Sequence, residues 1–118
     1  MINANLDQFL DYGWFSEATL YYKGFTYWCE GYRIEKDAEK YRYFVYRYRS
    51  VIHEDKSGNK YTTRLIKDND VADFSYVFDV YVDSEEEGKQ KFLEAKIFDG
   101  KSFWEVEKEI AWYDEYEN

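Results

Sequence analysis

FSYVFDVYVDSEEEGKQKFLE, residues 74–94, changes its hydrophobic period in the middle, and that change sets the fold class. Up to Val82, Phe74, Tyr76, Phe78, Val80 and Val82 alternate with Ser75, Val77, Asp79, Tyr81 and Asp83. A period of two is that of a β-strand, and the first set is expected to face the core. From Ser84 onward the spacing becomes helical. Ser84 and Glu87 have the spacing of a capping box, and Phe92 and Leu93 give the helix an apolar side. FDGKS, residues 98–102, breaks that helix. Ser102 and Glu105 then have capping-box spacing too, and Phe103, Val106, Ile110 and Tyr113 recur on one helical face.

Working back toward the start, each segment reads as strand or turn. DKSGNK, residues 55–60, is a hairpin signal between the run 40–54, KYRYFVYRYRSVIHE, and the return strand YTTRLI, residues 61–66. Lys23-Gly24 predicts a second hairpin between strands at Ser16–Lys23 and Phe25–Glu35. Gly31 within the latter marks a bulge or a close backbone approach. NANLDQFLDYG, residues 3–13, predicts a short helix capped by Asn3 or Asn5, with Leu6, Phe9 and Leu10 on one face and Gly13 at its end. The expected architecture is α+β: one domain over residues 1–118, an antiparallel sheet of about five strands, a short N-terminal helix and two C-terminal helices. Its expected core holds Leu20, Trp28, Phe44, Phe74, Phe78, Val80, Phe92, Leu93, Phe103, Val106 and Ile110.

The run 40–54 raises its own question, because arginine interleaved with aromatics is also how some proteins grip nucleic acid. Phe44, Tyr46, Tyr48 and Ile52 fall on one face, and Tyr41, Tyr43, Val45, Arg47, Arg49 and Val51 on the other. The sequence places Tyr41, Tyr43, Arg47 and Arg49 on the outer side of the sheet, with arginine stacked on tyrosine and paired with acids from neighbouring strands. Such a face is either a contact surface or a solvated one. The formal charge of −9 opposes the counterion-release term that drives nucleic-acid binding. That charge is uneven: residues 1–67 carry +2 and residues 68–118 carry −11. The C-terminal part therefore forms an acidic face or end, or simply the solvated sides of two helices.

Nothing in the sequence sets a catalytic group apart. His53 has Glu54 and Asp55 next to it, but adjacent strand residues point to opposite faces. Cys29, the single cysteine, has the default of core packing and excludes an internal disulfide. Asp68, Asp70 and Asp73 fail the calcium-loop pattern, which needs Gly where Asp73 stands and Glu where Asp79 stands. Glu85, Glu86 and Glu87 complement a helix dipole. There is no glycine-rich phosphate loop. The expectation is a non-enzymatic protein with no cofactor and no metal. With no signal-peptide pattern and no apolar run of membrane-spanning length, it is expected to be soluble and cytoplasmic.

The acidic piece DSEEEGKQKFLEAKIFDGKSFWEVEKEIAWYDEYEN, residues 83–118, resembles those of small anti-defence proteins of phages and mobile elements, the anti-CRISPR proteins among them. The resemblance is one of general character and transfers no functional residue. It implies a cytoplasmic inhibitor, acting in a bacterial host cell, that binds a nucleic-acid-handling effector such as a CRISPR nuclease, by nucleic-acid mimicry or by blocking a conformational change. An immunity protein that neutralises a cognate toxin is the alternative, and a nucleic-acid-binding module the third. Physics supports the first, because an acidic domain complements a basic channel. Candidate contact residues are Asp79 and Asp83 on the outer side of the last strand, Glu85, Glu86, Glu87, Glu105, Glu107, Glu109, Asp114, Glu115 and Glu117. Tyr81, Trp104, Trp112 and Tyr116 would supply aromatic anchors, with Trp112 and Tyr116 on one helical face if the helix persists that far.

Overall fold

A computed structural model of the chain describes residues 1–2, 4–13, 18–34, 40–65, 75–112 and 114–115, with backbone alone at 12–13 and 114–115. The expected positions Asn3, Phe74, Tyr113, Tyr116, Glu117, Asp68, Asp70 and Asp73 lie outside these described residues, or have no described counterpart. The fold is α+β, a curled half-barrel of six antiparallel strands with a short N-terminal helix and two C-terminal helices. No helix among the described residues is long and apolar enough to cross a membrane.

Helix α1 (Leu6–Gln8) is capped by Asn5, whose side-chain oxygen accepts from the Gln8 backbone N–H at 3.0 Å, and it runs into a wider π-type turn over Phe9–Gly13. Strands β1 (Ala18–Tyr22) and β2 (Phe25–Arg33) are joined at Lys23-Gly24, both at positive φ (47° and 85°), as the twist of a tight hairpin requires. The long strand β3 (Tyr41–Glu54) pairs with β2 from Phe25↔Arg49 to Arg33↔Tyr41. Its other edge is shared: β5 (Ser75–Val82) takes Tyr41 to Arg47, and β4 (Lys60–Arg64) takes Ser50 to Glu54. The β3–β4 hairpin is fixed by Asp55, whose carboxylate accepts from the Ser57 and Asn59 backbones at 2.9 Å each.

Helices α2 (Glu85–Glu94) and α3 (Phe103–Val106) follow β5. Ser84 Oγ accepts from Glu87 N at 3.1 Å, but the Glu87 carboxylate reaches Asp83 N and Lys91 rather than Ser84 N, so that cap is half a box. Ser102 and Glu105 make both bonds of the box. The expected second C-terminal helix stops early. After one 3₁₀ turn at Glu107–Glu109, Ile110 is extended, and β6 (Ala111–Trp112) pairs with β1. The unpaired backbone of β1 offers hydrogen bonds that a further helical turn could not supply. Trp112 therefore stands in a strand opposite Leu20 and packs edge-on against Phe9, while its expected partner Tyr116 lies outside the described residues. Strand β7 (Asp114–Glu115) then lies parallel to β4. Since one residue separates β6 from β7, the sheet must curl until its β1 and β4 edges approach the same C-terminal segment.

One sheet face packs against the helices. Leu20, Tyr22, Tyr27, Cys29, Tyr43, Val45 and Phe78 meet Phe9, Phe92, Leu93, Phe98, Phe103, Val106 and Ile110. Phe103 is the hub, with ring centroids of Phe9, Phe92 and Phe98 at 5.7, 6.0 and 6.3 Å. Two members of the expected core are elsewhere: Trp28 and Phe44 lie on the opposite face, opposite Tyr46 and Glu30 respectively. Tyr76 also leaves the core side. The register of β3 and β5 slips between Val45 and Tyr46, so Val45 faces Phe78 but Tyr46 faces Tyr76, and Val77 takes the inner place.

The closest packing is at Tyr43, whose ring lies between two glycines. A Cβ on Gly31 of β2 would collide with one edge of the ring, and a Cβ on Gly88 of α2 with the other. Gly31 is thus a close backbone approach. In an exposed helix Gly88→Ala would stabilise by about 1 kcal/mol. Here the sign reverses: the ring has no free volume, and the expected loss is about 1–3 kcal/mol. Thermal unfolding checks this, with Gln90→Ala on the exposed side as control; a raised Tm for Gly88→Ala would refute the clamp.

Burial also holds three acidic protons. It raises the Cys29 thiol well above its ordinary value, raises the Tyr27 hydroxyl against the opposing effect of Arg47, and pushes the Tyr43 hydroxyl up to about 12. Each group loses its proton more readily in the unfolded chain. Their stabilising contribution is therefore complete below about pH 9, the ordinary thiol value, and falls as pH rises toward 12. The unfolding free energy, and with it the denaturant midpoint, should decline from about pH 9 toward pH 12, by up to about 1.4 kcal/mol per pH unit for each group. Cys29→Ala should delay the onset to about pH 10. A flat midpoint across that range would contradict it.

Candidate interaction surface

The face turned away from the helices is built by the register of three strands. Reading across β2, β3 and β5, the pairings place Trp28, Tyr46 and Tyr76 in one row. Glu30, Phe44 and Asp79 form the next, and Tyr32, Arg42 and Tyr81 the third. The rows are ring–ring–ring, acid–ring–acid and ring–cation–ring. Cross-strand neighbours on one face of a sheet touch, so the grid is a set of contacts rather than a list.

Its floor is aromatic. Trp28, Tyr46 and Phe44 form a row of nearly parallel, stacked rings, with interplanar angles of 12° and 18° and centroids 5.8 and 6.4 Å apart. Tyr76 stands up from this floor at 61° to Phe44 and 74° to Tyr46, and Tyr32 at 72° to Phe44. Phe44 is buried, whereas Tyr32, Tyr76 and Tyr81 are 48%, 55% and 50% exposed. Exposed rings of this size on neighbouring strands are uncommon on a surface with no partner.

Arg42 is the centre of the charged part. Its guanidinium donates to both oxygens of Asp79, at 2.9 and 2.8 Å, and to the Tyr32 hydroxyl at 3.2 Å. It also lies over the rings of Phe44, Tyr81 and Tyr32, at 4.8, 5.8 and 5.9 Å from their centroids. The hydrogen bonds from Arg42 hold the Asp79 carboxyl below its ordinary value, and those to Asp79 and Tyr32 raise Arg42 further. Glu30 accepts from the Trp28 indole N–H at 3.1 Å. Among the described residues the charged side chains on this face are Glu30, Arg42 and Asp79, with Asp83 and Lys40 at the β5 end and Arg64, laid over Tyr48, beyond Tyr46.

The outer face differs from the expected one. Tyr43 faces the helices, Tyr41 packs against the core from the same side, and Arg47 and Arg49 lie over Phe25. Arginine does stack on tyrosine and pair with an acid, but the residues are Arg42, Tyr32, Tyr81 and Asp79. Both faces of β3 are aromatic, so its hydrophobic pattern does not fix which one turns inward. Gly31 does, because its missing side chain admits the Tyr43 ring beneath the sheet.

Of the expected contact residues, Asp79 and Tyr81 belong to this grid, and exposed Asp83, Glu85 and Glu86 continue from it into the first turn of α2. Glu87 pairs with Lys91 at 3.7 Å. Trp104 is half exposed on α3, Glu105 is used in its cap, Glu107 accepts from the Met1 amine at 2.8 Å, and Glu109 is exposed. Trp112 is part of the Phe9 packing, and Asp114 and Glu115 lie in β7. These do not form one patch with the grid. Trp28, Glu30, Tyr32, Arg42, Phe44, Tyr46 and Tyr76 were not among the expected site residues; cross-strand register is what unites them. Elsewhere, His53 stacks on Tyr61 and bonds Thr63 at 2.7 Å, and Cys29 is fully buried. Among the described residues no cluster of His, Cys, Asp or Glu could hold a metal ion. No family model, curated protein or solved structure matches the chain.

The Arg42–Asp79 fork is partly exposed, so solvent screens it. A double-mutant cycle of Arg42→Ala and Asp79→Ala should give a coupling of about 0.5–1 kcal/mol at low salt. Because Asp79 is depressed, that coupling is present above the usual carboxylate range and is lost as pH falls through the lowered value. A coupling that persists at pH 2 would show that packing, not charge, links the two.

Proposed function

We propose that this is a non-enzymatic inhibitor that binds the basic surface of a nucleic-acid-handling effector and blocks it, the effector being of the CRISPR-nuclease type that the resemblance to anti-CRISPR proteins implies. The observation that supports this is the unbroken passage from Asp79, Tyr81 and Asp83 on the outer side of β5 into Glu85 and Glu86 on α2, all exposed. Exposed acids at a strand end and a helix start steer a basic partner, and rings beside them supply what charge alone does not. Rim charges act mainly on association rate, whereas packed aromatics act on lifetime. Basic channels that hold nucleic acid have the complementary sign.

The test is capture of the partner from a bacterial lysate, followed by kinetics with the purified effector. Asp83→Lys, Glu85→Lys and Glu86→Lys together should slow association about tenfold or more at low salt and flatten its salt dependence. Glu87 is left intact because it holds Lys91 and Asp83 N. If no basic nucleic-acid-handling protein is captured, or the reversed triple variant associates at the wild-type rate, the reading is wrong.

A further inference from the structure

We infer that the aromatic grid of β2, β3 and β5 is a docking site for arginine side chains of a partner protein. This rests on the reading above that the partner surface is basic, and it names the chemistry that would hold it.

The structure contains its own precedent. Arg42 shows what this surface accepts: a planar cation laid on Phe44, walled by Tyr32 and Tyr81 and forked onto Asp79. The same parts recur in the adjoining rows. There the floor is Tyr46 and Trp28, the upright wall is Tyr76, and the carboxylate is Glu30, opposite Phe44 on the next strand. Glu30 is half-buried at the edge of the rings, with the Trp28 N–H on one oxygen. A carboxylate fixed beside aromatic faces attracts a cation from two directions at once, by charge and by ring quadrupole.

Charge complementarity selects the occupant. With Arg42 held by Asp79, Glu30 is the carboxylate beside the Trp28 and Tyr46 rings, and a carboxylate there disfavours a phosphate backbone and favours a cationic side chain. Nearly parallel ring faces favour the planar guanidinium, which stacks on them, over the compact, strongly hydrated ammonium of lysine. Tyr32, Tyr76 and Tyr81 project far enough to flank a side chain laid across the floor.

The experiment titrates the whole chain, at low salt, with a 12-residue peptide of alternating arginine and glycine. Its lysine counterpart and a 12-nucleotide oligothymidine are titrated in parallel. Backbone amide shifts give the location. The expected result is perturbation at residues 28–32, 42–46 and 76–81, with the arginine peptide about fivefold or more tighter than the lysine one. Tyr76→Ala should weaken it about five- to twentyfold and Glu30→Gln about three- to tenfold, while Tyr76→Phe binds nearly as wild type. Tyr76 is exposed, so its removal leaves the core intact. Shifts confined to α2, equal affinity for lysine, no binding of either peptide, or oligothymidine on the same residues would each overturn the inference. The two proposals separate cleanly. Arginine binding on the grid without capture of a nucleic-acid-handling effector leaves this site standing and removes the proposed function. Effector capture that Tyr76→Ala and Glu30→Gln do not weaken does the reverse.

Discussion

The Tyr43 ring, held between Gly31 and Gly88, fixes which way the whole sheet faces. β3 is the strand on which β2, β4 and β5 all pair, so its parity is inherited by its neighbours. With Tyr43 beneath the sheet, Val45 must also point to the helices, and Arg42, Phe44 and Tyr46 must point away. A slip of one residue would exchange these sets and drive Arg42 into the phenylalanine core. Gly88 connects this choice to the helical layer, because α2 can approach the sheet only where it has no side chain. Its cost in helix propensity is offset by the ring it admits.

The aromatic residues divide between the faces by chemistry. On the helical side of the core the packed rings Phe9, Phe92, Phe98 and Phe103 are all phenylalanine, with no hydroxyl to satisfy. The outer face is mostly tyrosine, where one end of the ring packs and the other meets water or Arg42. The β-bulge at Val45/Tyr46 serves the same division. It places Val77 inside and Tyr76 outside, although strict alternation from Phe78 would do the opposite.

Local signals in the sequence were legible where a short stretch determines its own geometry. Asn5, Lys23-Gly24, Asp55 and the Ser102–Glu105 box each act within four residues, and each stands where its pattern places it. The strand-to-helix change at Ser84 was legible for the same reason. What was not legible depended on partners distant in sequence. Ile110 continues the helical spacing of Phe103 and Val106, yet the second edge of β1, distant in sequence, takes Ala111 and Trp112 into strand. The grid mixes residues 28–32, 42–46 and 76–81, and no window of sequence contains it. Trp28 and Phe44 read as core because they are large and apolar; burial of Phe44 was a sound expectation, but its face required the register.

The basic residues of β3 were the reason to consider a nucleic-acid platform, and their surroundings explain why the face is acidic instead. Arg47 and Arg49 lie over Phe25 at 4.5 and 5.8 Å, Arg64 over Tyr48 at 4.1 Å, and Arg42 over Phe44. A guanidinium laid on a ring is held there by packing as well as by charge, and its stem covers apolar surface. Arg42 is neutralised outright by Asp79. The interleaving of arginine and tyrosine is therefore internal sheet chemistry, in which cations serve the rings of their own chain. The acids of residues 79–86 have few such partners, and their field reaches solvent largely uncancelled. Asp83, Glu85 and Glu86 thus present exposed carboxylates beside the exposed rings of Tyr76 and Tyr81.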